Sequence, residues 1–158
     1  MNRIGTCLWF DGRAEEAAAF YVAIFKNSKI VETAHYLEGT PMPAGSVLTV
    51  RFILDGEEFL ALNGGPQFAF SPAISLIVYC DSQQEIDDYW EKLSAGGQEV
   101  ECGWLTDKFG VSWQVVPRAL LTMIKDTDRA AAQRAFSAMM RMKKLDIAGL
   151  ERAFAGRE

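Results

Sequence analysis

The sequence predicts an α+β fold in which a strand–helix–three-strand unit occurs twice and an amphipathic helical tail follows. Three observations carry that expectation. A short apolar strand ending at an aspartate occurs at Cys7–Asp11 and again at Ser75–Asp81, each time leading into a helical pattern. Period-2 apolar runs broken by glycine turns follow both helices, and helical spacing returns near the C-terminus. The paired units are expected over 1–125 (about 1–66 and 67–117, plus a short helix), with 126–158 as a helical extension of the same domain.

Cys7-Leu8-Trp9-Phe10 reads as the first strand, stopped by Asp11-Gly12. Residues 13–25 then carry Ala17, Phe20, Tyr21 and Ile24 at i, i+3, i+4, i+7, which predicts a helix. Lys29–Tyr36 is extended, and Glu38–Gly45 with its two prolines is a loop. Leu48, Val50, Phe52 and Leu54 share one face of the next strand. Asp55-Gly56 is a hairpin signal, because both central turn positions can take positive φ. Glu58–Asn63 returns, ended by Gly64-Gly65-Pro66.

In the second unit Ser75–Cys80 is the strand. Ser82-Gln83-Gln84-Glu85 forms a capping box ahead of a helix whose stripe is Ile86, Tyr89, Trp90 and Leu93. Glu99–Trp104 is extended, Asp107–Gly110 turns, and Val111–Val116 is the last strand; one strand of this copy is expected to be brief or merged into 98–106. Helices are predicted over Pro117–Lys125, over Asp128–Met142 with Ala132, Phe136, Met139 and Lys143 on one side, and after Asp146 with Ile147, Leu150 and Phe154 facing one way. Two readings of this tail stand: a cover for the core, or an arm that forms a dimer.

Composition excludes several classes. With 158 residues, 49% hydrophobic and 23% charged, the chain is that of a soluble globular protein. A net charge of −5 argues against a nucleic-acid footprint or a polybasic membrane patch. No apolar run approaches the roughly 20 residues of a membrane helix. The start, MNRIGTCLWFDG, meets charge by Asp11 and does not read as a signal peptide. Cys7, Cys80 and Cys102 contain no CxxC pair and fit reduced thiols, so a cytoplasmic location is expected. His35 is the single histidine, which excludes any site needing two imidazoles from one chain.

CLWFDGRAEEAAAFY (7–21), LTVRF…EFLALNGGP (48–66) and CGWLTDKFGVSWQVVP (102–117) resemble the PhnB-like branch of the vicinal oxygen chelate superfamily, the superfamily of glyoxalase I, bleomycin-resistance proteins and extradiol dioxygenases. This branch often carries the label 3-demethylubiquinone-9 3-methyltransferase. The resemblance implies paired βαβββ modules whose eight strands form a curled, incomplete barrel around a cavity. It also implies metal ligands, typically histidine on the first strand and glutamate on the last strand of the modules. Carried over, those positions fall at Gly5 (with Thr6 the alternative), Ser75, Asn63 and Gln114. Leu8 and Phe10 should pack on the helix, leaving Gly5, Cys7 and Trp9 toward the cavity. None of the four ligand positions offers an anion or an imidazole. A divalent ion needs charge neutralisation and strong donors, so no metal and no cofactor are expected, and Gln114 becomes a hydrogen-bonding group on the cavity wall.

Other residues have competing readings. Cys7 and Cys102 are either small buried filler or cavity thiols; a reactive thiolate needs a nearby cation or helix start, which a strand cysteine lacks. Trp9, Tyr79, Trp104 and Trp113 suit either a ligand-binding aromatic wall or core packing. His35 reads as a strand residue, Glu15 and Glu16 as solvated helix surface, and Asp107 as either a turn former or cavity-mouth polarity. Methyl transfer from S-adenosylmethionine calls for a parallel sheet and a glycine-rich turn after a strand, and neither is legible. The expected function is therefore a metal-free homodimer binding a small organic ligand, lined by Gly5, Cys7, Trp9, Asn63, Ser75, Cys102, Trp104 and Gln114. Two alternatives remain: a superfamily enzyme of lyase or dioxygenase type with unusual site residues, and a structural or partner-binding dimer with a filled cavity.

Overall fold

The computed structural model describes residues 2–157. The chain divides between Phe70 and Ser71 into two compact units. In the first, β1 (Thr6–Phe10), α1 (Ala14–Ile24), β2 (Lys29–His35), β3 (Val47–Leu54) and β4 (Glu57–Asn63) follow in order. The sheet order is β1-β4-β3-β2, with β1 parallel to β4 and the other pairs antiparallel. One sheet face is sealed by α1. Leu8, Phe10, Val50, Phe52, Leu54 and Ala61 are buried there against Ala14, Ala17, Ala18 and Tyr21 of the helix. Tyr21 stacks on Phe52, which stacks on Phe59.

Small residues at Ala14, Ala17 and Ala18 let the helix approach the sheet, so the buried stripe is centred there and Phe20 and Ile24 are only half-buried. The Asp55-Gly56 turn has φ of 46° and 87°, as a two-residue hairpin requires.

The second unit repeats the pattern with β5 (Ser75–Cys80), α2 (Gln83–Ser94), β6 (Gln98–Glu99), β7 (Trp104–Thr106) and β8 (Ser112–Pro117). Its sheet order is β5-β8-β7-β6, again with the first and last strands parallel. The fold is thus α+β with two βαβββ modules, and the short strands of the second copy are β6 and β7. Ser82 Oγ accepts from Glu85 N at 3.2 Å and Glu85 Oε2 accepts from Asp81 N at 3.3 Å, which starts α2 as the sequence predicts. Ile86, Trp90 and Leu93 are buried on the sheet side.

Three helices complete this unit: α3 (Arg118–Ile124), α4 (Arg129–Met139) and α5 (Ile147–Phe154). Asp128 and Asp146 cap α4 and α5 through their carboxylates. Leu120, Ala138, Leu145 and Leu150 form a core with Val116 of β8. The tail therefore covers part of the second unit's core. One detail departs from expectation: α4 buries Ala131, Ala132, Ala135 and Ala138, and Phe136 stands 44% exposed. Alanines permit the closer helix approach, and the larger ring is turned out.

Candidate functional site

Each sheet has one face sealed by its own helix and one face that its helix leaves open. On the open face of the first unit, β1 presents Cys7 and Trp9, and in register beside them β4 presents Leu60 and Leu62. The Trp9 indole is fixed: its Nε1–H donates to Gly65 O at 2.9 Å, and its ring meets Phe68 edge-on at 5.0 Å. Gly64 makes room for it, since a Cβ there would lie 2.4 Å from Trp9 Cζ2. The Gly64-Gly65 pair is therefore the seat of a tryptophan. Gly5 precedes the strand, with open space around its Cα. Cys7 is exposed as a residue, while neighbouring atoms desolvate its sulfur enough to raise the thiol pKa.

Asn63 is a correction to the expected cavity wall. It is 6% exposed and shares the helix-side face with Phe59 and Ala61. Its Oδ1 accepts from Ala14 N at 2.9 Å and its Nδ2 donates to Val47 O at 3.1 Å. Arg13, at the N-cap position, contributes no side-chain bond, so Asn63 satisfies one of the helix's orphan donors from across the sheet. Tyr36 Oη donates to Asn63 O at 2.5 Å, closing the same strand end.

In the second unit the open face carries Ser75, Ile77 and Tyr79 of β5, Gln114 of β8 and Trp104 of β7. Gln114 lies in register with Ile77 on one side and Trp104 on the other. Its Nε2 donates to Ser75 Oγ at 2.9 Å. Tyr79, 42% exposed, lies under the Arg118 guanidinium at 5.3 Å, and Arg118 pairs with Asp81 at 3.2 Å.

Cys102 is a second correction. It sits in a turn at φ 61°, not in a strand, and its N–H donates to Met142 O at 2.7 Å. The neighbouring Gly103 N–H donates to Lys143 O at 2.8 Å. Cys102 Sγ lies 3.7 Å from Met140 Sδ, so it belongs to the contact with the tail. Asp107 is 2% exposed and shapes the turn: Oδ1 accepts from Phe109 N and Val111 N, and Oδ2 accepts from Trp113 Nε1 at 2.9 Å. Trp113 is thereby a core residue.

No motif marks Arg51 as a site residue. It lies on the open face of β3, in register with Leu60, within 3.3 Å of Glu32 and 3.9 Å of Glu58. Its Nε is buried with no hydrogen-bond partner. The signal was present in LTVRFIL, where a cation interrupts the apolar run on the phase opposite Val50 and Phe52.

The donor set does not fit a divalent cation. Gly5 has no side chain, Asn63 has both amide ends engaged with backbone, and Ser75 and Gln114 bond to one another. All are neutral, and hard or borderline cations select anionic or imidazole donors. Among the described residues, no three of His, Cys, Asp and Glu stand together as a metal site would require.

Two βαβββ modules, each with one sheet face that its own helix leaves uncovered, have the vicinal oxygen chelate fold. Residues 2–116 match the family profile described as 3-demethylubiquinone-9 3-methyltransferase, and the chain belongs to that PhnB-like family. It is 38% identical to a PhnB protein from Bacillus cereus, with 73% of this chain and 99% of that one covered and a TM-score of 0.67. Protein PA1353 from Pseudomonas aeruginosa is similar in fold, at TM-score 0.61 and 21% identity over 74% of this chain and 98% of that one. So is the fosfomycin resistance protein FosX from Listeria monocytogenes in its Mn(II) and sulfate complex, at TM-score 0.52 and 16% identity over 72% and 89%. No curated protein matches. The family's description does not carry methyl transfer to this chain: both sheets are mixed, and neither alternates strand and helix in parallel. Among the described residues, no helix is long and apolar enough to cross a membrane.

Proposed function

We propose that this protein binds a small organic ligand without a metal ion, on the open sheet faces of its modules, and works as a homodimer in the cytoplasm. The observation that supports this reading most is the Trp9 seat. An indole locked by Gly64, Gly65 and Phe68 stands beside Leu60 and Leu62 on a face its own helix does not cover. A rigid aromatic next to apolar side chains and a few polar groups is the make-up of a small-molecule site. In the second unit Tyr79, Trp104 and the Gln114–Ser75 pair supply the same combination, with Gln114 Oε1 left to accept from a ligand. Gly5 and Cys7 flank Trp9, whereas Asn63 and Cys102 serve the scaffold.

Thermal unfolding with a set of small aromatic and aliphatic compounds tests the reading. At least one chemical class should raise Tm saturably, and Gln114→Ala or Leu62→Asn should weaken that rise. Phe136→Ser, on a helix of the tail, should leave it unchanged. Stabilisation that is equal in all variants, or none from any class, contradicts the proposal.

A further inference from the structure

The tail carries a groove of about 390 Å³ whose lining, among the described residues, includes Arg134, Ser137, Arg141 and Arg157 and no carboxylate. In a chain of net charge −5, three arginines along one groove are a local concentration of positive charge. The local sequence builds this cluster. Arg134, Ser137 and Arg141 stand at i, i+3 and i+7, so they line one side of α4 and its C-terminal turn. Arg157 is brought to them by the end of α5. There Gly156 takes φ 74°, Gly156 N–H donates to Ala153 O at 3.1 Å, and Arg157 N–H donates to Arg152 O at 2.8 Å. That pair of bonds is the Schellman reversal, which sends the chain back along the helix it ends.

Arg134 is held by two bonds, donating from Nε to Ala153 O at 2.9 Å and from Nη2 to Phe154 O at 2.7 Å, and its Nη1 has no partner among the described residues. Among the described residues Arg141 and Arg157 have no ion-pair partner. Ser137 Oγ accepts from Gln133 Nε2 at 3.2 Å, which leaves its own O–H free to donate. Like charges lining one groove repel one another, and an anion in the groove would offset that repulsion. Guanidinium groups favour oxyanions they can meet with paired N–H donors.

We propose that this groove binds the phosphate group of a small, soluble phosphoester. Three arginines and a hydroxyl line the groove, the donor types that a doubly charged tetrahedral group with several acceptor oxygens takes, and the volume leaves room for an organic remainder. The groove lies beyond residue 116, where the family match ends, and it shares no residue with the sheet faces. Its test is therefore independent of the function proposed above.

Inorganic pyrophosphate is the probe, titrated into the full chain by calorimetry and thermal unfolding at fixed ionic strength. Saturable binding is expected, weakened about tenfold or more in Arg141→Gln/Arg157→Gln and abolished in Ser137→Asp, with unliganded Tm retained in both. An equal Tm shift from sodium chloride at matched ionic strength, or wild-type affinity in both variants, overturns the proposal. So does co-sedimentation with phosphatidylcholine vesicles containing phosphatidic acid when pyrophosphate in solution does not saturate the protein, because the site would then serve a membrane headgroup.

Discussion

Gly64→Ala isolates the Trp9 seat more cleanly than any change to the tryptophan itself. Gly64 does not occupy the left-handed region, so alanine meets no backbone penalty there and the effect is steric. The new Cβ would lie 2.4–2.5 Å from three atoms of the indole's six-membered ring. The ring cannot swing away freely, being tied by the 2.9 Å bond to Gly65 O and by Phe68. Overpacking of this kind costs about 1–3 kcal/mol. Loss of the hydrogen bond adds about 1 kcal/mol, and loss of the edge contact about 0.5–1 kcal/mol. A total of about 2–4 kcal/mol follows, since the terms overlap. Urea unfolding of wild type, Gly64→Ala, Trp9→Ala and the double variant measures it. In the Trp9→Ala background the Gly64→Ala cost should fall below about 0.5 kcal/mol, giving a coupling energy of more than 1 kcal/mol. Equal cost in both backgrounds would refute the claim that Gly64 is there for the indole.

Asp107→Ala should destabilise by at least about 3 kcal/mol, because Phe109 N, Val111 N and Trp113 Nε1 lose their acceptor together in a buried turn; a Tm drop under about 3 °C would contradict this. Cys80 predicts an alkaline loss of stability. Burial, reinforced by Glu85 and Asp81 and opposed by Arg118, pushes its thiol from 9.0 up to about 12. Above pH 9 the unfolded chain releases this proton and the folded chain retains it, so the unfolded state gains as pH rises and the stability is lost progressively toward pH 12. Under reducing conditions, wild type should lose about 1 kcal/mol more than Cys80→Ala between pH 8 and pH 10. Parallel curves for the two proteins would remove Cys80 as the cause.

Much of the fold was legible because its signals are local. Asp55-Gly56 requires positive φ at adjacent positions, Ser82 and Asp146 cap helices three residues ahead, and Leu8 and Phe10 alternate with Cys7 and Trp9 across one strand. The residues misread in the site depend on distant partners. Asn63 was assigned to the open face, and strand parity turns any one-residue error into the opposite face; what settles its side is Ala14, 49 positions away. Cys102 reads as strand until Met142 and Lys143 supply the carbonyls that hold its turn. Helical spacing puts Phe136 on the predicted stripe, but four alanines form the contact surface of α4. Arg51 is legible as a cation in an apolar strand, but no motif marks it as a site residue.

Metal content tests the central claim most directly. Purified protein incubated separately with zinc, manganese, iron(II) and nickel, then passed through a desalting column, can be assayed by mass spectrometry against protein concentration. Ser75 and Gln114 bonded to each other, Asn63 bonded to backbone and a bare Gly5 predict well under about 0.1 ion per chain for every metal. One ion per chain, retained after desalting and lost in Gln114→Ala, would contradict the account.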